Sequence, residues 1–254
     1  MLNLVFPALP YSRTVDPMWQ QEHDEAERRG YAVGLFDEEQ NKFYGAGRAA
    51  YPALYRGWML DEATYARLAA QVPLLVSYEV YAASHLATGW YEATRPYTPA
   101  SVFCRASEAP EHLAAAPKHH FVKTLTKSFG PDSVVESAQQ LADVLRRHEI
   151  AETEMLMVRE YVALSAARPE QRFFCVRGEA FGAAAAPFPA ELLPALEKLE
   201  SRWFYTVDVA YTSEGQPIII EIGDGQVSDV KEWTVAELYG TAIRRLAELT
   251  SEAS

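Results

Sequence analysis

Apolar residues in the first hundred positions recur in short runs separated by polar, helix-like segments. The strand-like runs are Leu2 to Phe6, Tyr31 to Phe36 and Ala53 to Trp58. Asp16-Pro17 predicts a helix start, because aspartate suits the N-cap and proline the first helical position, and Gly30 predicts its end. A second helix is predicted over 61–70. This β-α-β order is typical of a parallel sheet flanked by helices.

From about residue 100 the pattern becomes strand-rich. The predicted strands are Ser101 to Arg105, His120 to Thr124, Met155 to Val162, Arg172 to Val176, Glu179 to Gly182, Tyr205 to Tyr211 and Pro217 to Ile222. Helical spacing of apolar residues predicts helices over 133–148, 190–199 and 234–249. The turn residues 213–216 predict a hairpin between the last two strands. The pattern predicts an N-terminal α/β domain over 1–99 and a mixed α+β domain over 100–254.

Composition narrows the class of protein. Hydrophobic residues make up 49% of 254 residues, enough for a sizeable core. No apolar run is long enough to span a membrane, and the N-terminus lacks the basic region of a secretory signal. Two cysteines, Cys104 and Cys175, are too few for a disulfide framework, so a reducing cytoplasm is expected. The net charge of −12 makes nucleic acid a poor candidate partner.

Two acids stand in the otherwise apolar strands of the predicted hairpin. Asp208 lies in Tyr205 to Ala210, and Glu221 lies in Pro217 to Ile222. Carboxylates in an apolar setting are costly unless a cation neutralises them. Mg²⁺ takes carboxylate oxygens and keeps positions free for phosphate oxygens. The alternative is a pair of half-exposed acids that face solvent.

Three further segments carry charge at strand ends. Lys123 leaves an apolar strand and enters a loop with Lys127 and Gly130, a composition that suits phosphate binding, although most such lysines are solvated. Glu160 ends a strand, which is also compatible with any strand exit. Arg172 opens a strand, where it is alternatively a salt-bridge partner only.

The order of these residues resembles the ATP-grasp superfamily. A strand lysine, an acid at a strand end, an arginine opening a strand and an Asp/Glu hairpin follow one another, similar in plan to glutathione synthetase, D-alanine–D-alanine ligase and ribosomal-protein glutamate ligases. The segments 55–60 (Tyr-Arg-Gly-Trp-Met-Leu) and 221–228 (Glu-Ile-Gly-Asp-Gly-Gln-Val-Ser) resemble a bacterial clade of that superfamily. The resemblance covers nearly the whole chain. It implies an N-terminal parallel-sheet pre-ATP-grasp domain followed by a two-lobed ATP-grasp domain.

The resemblance implies a nucleotide site. Lys123 resembles the strand lysine that touches the ATP phosphates, with Lys127 and Gly130 in the loop that covers them. Glu160 resembles the hinge acid near the adenine amino group, and the backbone of 161–162 (Tyr161, Val162) pairs with the adenine edge. His85 is the nearest fit to the first basic residue of the usual pair, although a helical histidine is more often a packing or surface residue.

The resemblance also implies a catalytic centre. Asp208 and Glu221 resemble the magnesium carboxylates, and Arg172, with Lys127, would neutralise the transferring phosphoryl group. Arg56 is expected to line the substrate side, because open sheets bind ligands beyond the carboxyl ends of their strands.

The chain departs from the family pattern at two positions. Gly223 stands where an asparagine is common, and it is followed by Asp224, which would either supply the missing metal ligand or face the substrate. Thr206 stands where many members carry an arginine.

The implied activity is that of an ATP-dependent carboxylate–amine or carboxylate–thiol ligase. Such an enzyme uses ATP and Mg²⁺, forms an acyl phosphate, and releases ADP and phosphate as it makes a C–N bond on an amino acid, peptide or protein. Its expected partner is a small-molecule or peptide substrate. The alternative is a non-catalytic ATP-binding module with a degenerate ATP-grasp fold.

Overall fold

The computed structural model describes residues 2–45, 51–115 and 119–252. Strands within these ranges are β1 (Asn3–Pro7), β2 (Ala32–Asp37), β3 (Lys42–Gly45), β4 (Ala53–Tyr55), β5 (Ser101–Arg105), β6 (His120–Thr124), β7 (Val134–Val135), β8 (Met155–Glu160), β9 (Gln171–Val176), β10 (Glu179–Gly182), β11 (Tyr205–Tyr211) and β12 (Pro217–Asp224).

Helices occur singly or in succession between these strands. They are α1 (Gln20–Arg28), α2 (Glu62–Ala69), α3 (Tyr78–His85), α4 (Ala87–Thr94), α5 (Ala109–Ala115), α6 (Ala138–Arg147), α7 (Leu193–Glu197), α8 (Val235–Gly240) and α9 (Ala242–Glu252), with short 3₁₀ turns at Pro17–Trp19, Arg95–Tyr97, Gly130–Ser133, Ala183–Ala185 and Ala190–Leu192. In the described part of the chain, no helix combines the length and apolar character that crossing a membrane requires.

The chain divides into two units. The first comprises the described residues of Met1–Ala82, Gln171–Asp208 and Gly223–Ser254, and the second comprises those of Ala83–Glu170 and Val209–Ile222. The backbone passes from the first unit to the second within β11 and returns within β12. The sequence-based division at residue 99 stays a prediction.

A mostly parallel sheet organises the first unit. Its strand order is β3-β2-β1-β4, with β1 parallel to both β2 and β4 and β3 antiparallel to β2. Its core joins side chains from both ends of the sequence, among them Leu4, Leu54, Phe174 and Leu246, all fully buried. Burying a side chain of this size contributes roughly 1.5–3 kcal/mol. The parallel sheet predicted from the β-α-β order is therefore present.

A second sheet has the order β10-β9-β11-β12. The turn between β11 and β12 is closed by the Thr212 N–H, which donates to the Gln216 carbonyl at 2.9 Å. Gly215 in this turn has a φ of +85°, a conformation that favours glycine. The predicted hairpin is confirmed.

An antiparallel sheet, β5-β8-β6-β7, organises the second unit. Helix α6 covers one of its faces, and their shared core includes Val122, Leu141, Val144 and Leu156. Ser137 caps α6, because its hydroxyl accepts a hydrogen bond from Gln140 N at 3.2 Å.

Two predicted helices differ from the structure. The helix predicted over 133–148 begins only at Ala138, because Val134–Val135 pairs with β6 as a strand. The closing helix predicted over 234–249 is divided at Thr241, whose φ of −122° and ψ of −88° are not helical. His85, expected on a helix, is the last residue of α3.

Candidate active site

Strands β6 and β8 present one polar face of the second unit. Phe121 lies opposite Arg159 and Lys123 lies opposite Met157. Opposed residues and every second residue along a strand share a face, so these four side chains lie on the same side of the sheet.

Lys123 and Glu221 form an ion pair within this unit. Lys123 is only 6% exposed, and its Nζ donates a hydrogen bond to Glu221 Oε1 on β12. A buried ammonium is costly without a counter-ion, and Glu221 supplies it. The structure thus brings together the predicted phosphate lysine and one predicted metal acid.

His85 lies within electrostatic reach of the same pair. Burial holds the pKa of its imidazole below the ordinary value; the Glu221 carboxylate opposes this, whereas the charges of Lys123 and Lys127 add to it. The side chain is therefore mostly neutral at pH 7 and offers a hydrogen bond rather than a fixed charge.

The loop after β6 is a tight turn. The Thr124 N–H donates to the Lys127 carbonyl at 3.0 Å, and the Lys127 N–H donates to Thr124 Oγ1 at 2.9 Å. Lys127 itself is exposed, while buried Phe129 anchors the far side of the turn. Gly130 follows with a φ of +60°, which explains a glycine at that point. The turn holds the Lys127 ammonium beyond the end of the strand.

The predicted hinge residues line a cavity of about 400 Å³ that lies entirely in the second unit. Its walls are mainly apolar and consist of Pro99, Phe121, Val134, Arg159, Glu160, Tyr161, Val162, Leu164, Glu170, Ile218 and Ile220. The Tyr161 N–H donates to the His119 carbonyl at 3.3 Å. Among the described residues, no hydrogen bond to the Val162 N–H is found. The cavity therefore combines apolar walls with an available backbone donor.

In the first unit, Arg172 and Asp208 form a bidentate pair. Arg172 Nε and Nη2 donate to the two carboxylate oxygens of Asp208, each at 2.8 Å, and Lys231 Nζ donates to Oδ2 at 2.9 Å. Burial opposes ionisation of Asp208, but the hydrogen bonds and charges of Arg172 and Lys231 outweigh it and hold its pKa below the ordinary value. Arg172 also contacts Asp229. Two predicted residues are adjacent, and Lys231 and Asp229 complete the group.

Asp224 is fully enclosed in the same unit. Its Oδ1 accepts hydrogen bonds from the Gln226 N–H at 2.9 Å and from Gln226 Nε2 at 3.0 Å, whereas Oδ2 is buried and accepts no hydrogen bond from any described residue. Burial raises the pKa of Asp224 to about 7, although the Gln226 hydrogen bonds and the charges of Arg202 and Arg56 lower it. The carboxyl orders the loop that follows β12, and its predicted role toward metal or substrate stays a prediction.

Arg56 is also fully buried. Its guanidinium donates to both carboxylate oxygens of Glu22 and to the carbonyls of Gly225 and Ser228, and it lies 5.2 Å from the Trp19 ring centroid. This network joins α1, the end of β4 and the loop after β12. Because every nitrogen of the guanidinium is engaged, the observed contacts of Arg56 are structural, and its predicted place beside the substrate stays a prediction.

Sequence reasoning did not single out Arg159, Lys231 or Asp229. Arg159 immediately precedes Glu160 in a strand that otherwise reads as apolar, and a charge in such a strand is the signal that was available. Lys231 and Asp229 belong to a short charged stretch after 221–228 that reads as an ordinary solvated turn.

A known domain family and several solved structures resemble this chain. Residues 52–246 match a family model described as an ATP-grasp domain, clade family 3. No curated protein matches the chain. Solved structures with a similar fold share little sequence. D-cycloserine synthetase DcsG has a TM-score of 0.67 at 15% identity, covering 100% of this chain and 99% of that one. A RimK domain ATP-grasp protein from Sphaerobacter thermophilus has a TM-score of 0.63 at 17% identity, covering 99% and 98%.

A third similar structure was solved with ligands. It is the ATP-grasp ligase PsnB complexed with precursor peptide PsnA2 and AMPPNP, with a TM-score of 0.60 at 13% identity, covering 96% of this chain and 97% of that one.

Proposed function

Because the chain belongs to this ATP-grasp domain family, clade family 3, we propose that it is an ATP-dependent ligase that activates a carboxylate as an acyl phosphate. A substrate carboxylate oxygen attacks the γ-phosphorus of ATP, and the bond to the β–γ bridging oxygen breaks with release of ADP. An amine, or alternatively a thiol, then attacks the acyl carbon, loses its proton and displaces phosphate. The substrate is an amino acid, a peptide or a protein.

The observation that carries this proposal lies in the second unit. Lys123 is paired with Glu221 and lies two residues along β6 from Phe121. Phe121 lines the same cavity as Tyr161 and Val162. The apolar walls and the Val162 N–H suit a purine base, and the ammonium suits its phosphates. Lys127, beyond the strand end, would extend this charge over the phosphate chain, and His85 would add a hydrogen bond.

The donor chemistry of Asp208 and Glu221 fits magnesium. Both carboxylates are ion-paired with protein cations, Asp208 with Arg172 and Lys231 and Glu221 with Lys123, so Mg²⁺ would have to share or displace these contacts. When bound, Mg²⁺ would supply charge neutralisation for the phosphates. Asp208 and Glu221 stay the proposed ligands, with Asp224 as the third.

Arg172 is proposed to serve the phosphoryl group. Its guanidinium is held by Asp208 and Asp229, which fix its orientation, and a planar guanidinium suits phosphate oxygens. Thr206 stands where an arginine is common, and it carries no charge. We therefore assign Arg172, in the same unit, to the transferred phosphoryl group.

Hydroxylamine trapping tests the ligase activity without knowledge of the acceptor. The protein is incubated with Mg-ATP, hydroxylamine and pools of amino acids or peptides, and hydroxamate and ADP are measured. The proposal expects hydroxamate that depends on the carboxylate pool, and ADP in at least the same amount, because amines in the pool also capture the acyl phosphate. Tight ATP binding with no hydroxamate and no ADP from any pool would contradict it.

That contrary outcome would support the second candidate, a non-catalytic ATP-binding module. The specific observation in its favour is that both oxygens of Asp208 are already taken by Arg172 and Lys231. A carboxylate so fully neutralised has less to offer a metal ion.

A further inference from the structure

Arg159 is a buried cation that the proposed mechanism does not use. It lies in β8, is 5% exposed, and borders the cavity of the second unit. Burial lowers the pKa of its guanidinium to about 10, which still leaves it protonated at pH 7.

Its hydrogen-bond partners are all neutral. Nη1 donates to the Ile220 carbonyl at 2.7 Å, Nε to Ser101 Oγ at 3.3 Å, and Nη2 to Met157 Sδ at 3.7 Å. Within the described ranges, no carboxylate lies at ion-pair distance from Arg159. Glu221 attracts it electrostatically, but that carboxylate is hydrogen-bonded to Lys123.

A guanidinium buried without a counter-ion is unfavourable, and apolar replacements of buried charges are often neutral or stabilising. Fold stability alone therefore gives little reason for arginine at this position. A guanidinium has five N–H groups, and the three neutral partners leave one on each terminal nitrogen. Two N–H groups on one planar ion are the arrangement that binds a phosphate at two oxygens.

The position of Arg159 defines which part of a nucleotide it meets. Arg159 and Lys123 share a face, separated by one residue pair, or about 7 Å along the strand. Tyr161 and Val162 follow Arg159 closely in the chain and line the same cavity. A ligand with its base at Val162 and its terminal phosphates at Lys123 must pass Arg159 between the two.

We propose that Arg159 binds the α-phosphate of the nucleotide, and so distinguishes nucleotides from nucleosides. The inference rests on the proposed use of ATP. Phosphate binding uses the free N–H groups and provides the counter-charge that Arg159 lacks within the described part of the protein.

The test compares the affinities of ATP, AMP and adenosine by competition against a fluorescent ATP analogue. Replacing Arg159 by methionine keeps a straight side chain of similar length against Trp90 but removes the charge. Arg159→Met is expected to weaken ATP and AMP alike by about tenfold to a hundredfold, as for a lost charge-assisted hydrogen bond, and to change adenosine affinity by less than about threefold. Arg159→Lys keeps a positive charge but as a point charge, so its affinities for ATP and AMP should lie between those of the wild type and of Arg159→Met.

Two controls separate this role from a structural one. Arg105→Met removes an exposed arginine from β5 of the same sheet and should alter no affinity. The melting temperature of Arg159→Met should equal or exceed that of the wild type, whereas a structural arginine would lower it.

The remaining outcomes overturn the inference in distinguishable ways. Equal losses for adenosine and AMP would mean that Arg159 stacks on the base, and a loss confined to ATP would assign it to the terminal phosphates. In both cases ATP use stands and the α-phosphate assignment fails. If the wild type binds no nucleotide, the proposed function fails with it.

Discussion

Thr206 fills the space that a side chain at position 223 would need. A Cβ added to Gly223 would lie 2.6 Å from Thr206 Oγ1 and 3.0 Å from Ser228 Oγ, and these two hydroxyls are themselves hydrogen-bonded at 3.0 Å. The two departures from the family pattern are therefore one packing arrangement. The asparagine common at position 223 does not fit while Thr206 and Ser228 keep these positions.

This coupling predicts that Gly223→Ala is destabilising. The neighbours are well-packed side chains, so the cost should be about 1–3 kcal/mol in the free energy of unfolding, measured by urea denaturation. Thr206→Ala in the same chain should recover part of the loss, since it removes the nearer hydroxyl. Gly240→Ala, whose Cβ would meet only the flexible end of Arg29, serves as the control and should be near neutral. Simple additivity of the two single changes would contradict the coupling.

The proposed metal carboxylates can be tested by charge-neutral substitutions. Asp208→Asn and Glu221→Gln should each lower Mg²⁺-dependent turnover by about a hundredfold or more, because preorganised charge stabilisation is lost. Turnover is measured as ADP release across a magnesium titration, and circular dichroism checks the fold. Glu214→Gln, in the exposed turn between β11 and β12, is the matched control. Full activity of either variant would remove that residue from the metal site.

Lys123 is expected to bind the nucleotide phosphates. Lys123→Met should weaken ATP binding in calorimetry by about tenfold or more, the effect of one charge-assisted hydrogen bond. The same substitution leaves Glu221 without its partner, so Lys123→Met in the Glu221→Gln background isolates the nucleotide contact. Exposed Lys198→Met should bind like the wild type. Unchanged ATP affinity in both Lys123 variants would exclude this role.

The buried carboxyl of Asp224 should make the free energy of unfolding depend on pH. Burial raises its pKa from 3.8 to about 7, so the folded chain retains a proton that the unfolded chain releases. The stabilising contribution of this group to the free energy of unfolding is fully present below about pH 4 and is lost as the pH rises through about 7. Asp224→Asn should therefore gain stability over the wild type by an amount that grows from pH 4 to pH 8 and reaches at most about 4 kcal/mol.

The pH prediction is checked by thermal melts across that range. An exposed control, Glu214→Gln, should follow the wild type at every pH. A difference between Asp224→Asn and the wild type that stays constant with pH would show that the Asp224 carboxyl is already ionised throughout.

Much of the fold was predictable from local pattern. The strand at Tyr205–Tyr211 was predicted to the residue, because an apolar run ends at strong turn residues. The start of α6 was missed because Val134 and Val135 fit a helical period, and only their pairing with β6 makes them a strand. The break at Thr241 follows Gly240, a glycine at a helix end that the apolar period across 234–249 outweighs in a reading by pattern alone.

The candidate site was predictable as residue types more than as contacts. Family order pointed to Lys123 and Glu221 separately, but their ion pair joins positions 98 residues apart and depends on tertiary structure. The burial of polar side chains depends on tertiary structure in the same way. Arg56 and Asp224 are polar residues at strand ends, where exposure is the usual outcome, and only the packing of distant segments encloses them.

The buried Arg56 network has a consequence for how the protein is made. Glu22 and Arg56 leave the ribosome long before the carbonyls of Gly225 and Ser228 and the Tyr239 hydroxyl, which donates to Glu22. Until then the early pair lacks partners that its enclosure requires, and the core around β1 lacks Trp233 and Leu246. Completion of the N-terminal sheet therefore waits for the C-terminal helices. A premature stop codon ahead of those helices would therefore leave the sheet of β1 to β4 incompletely packed.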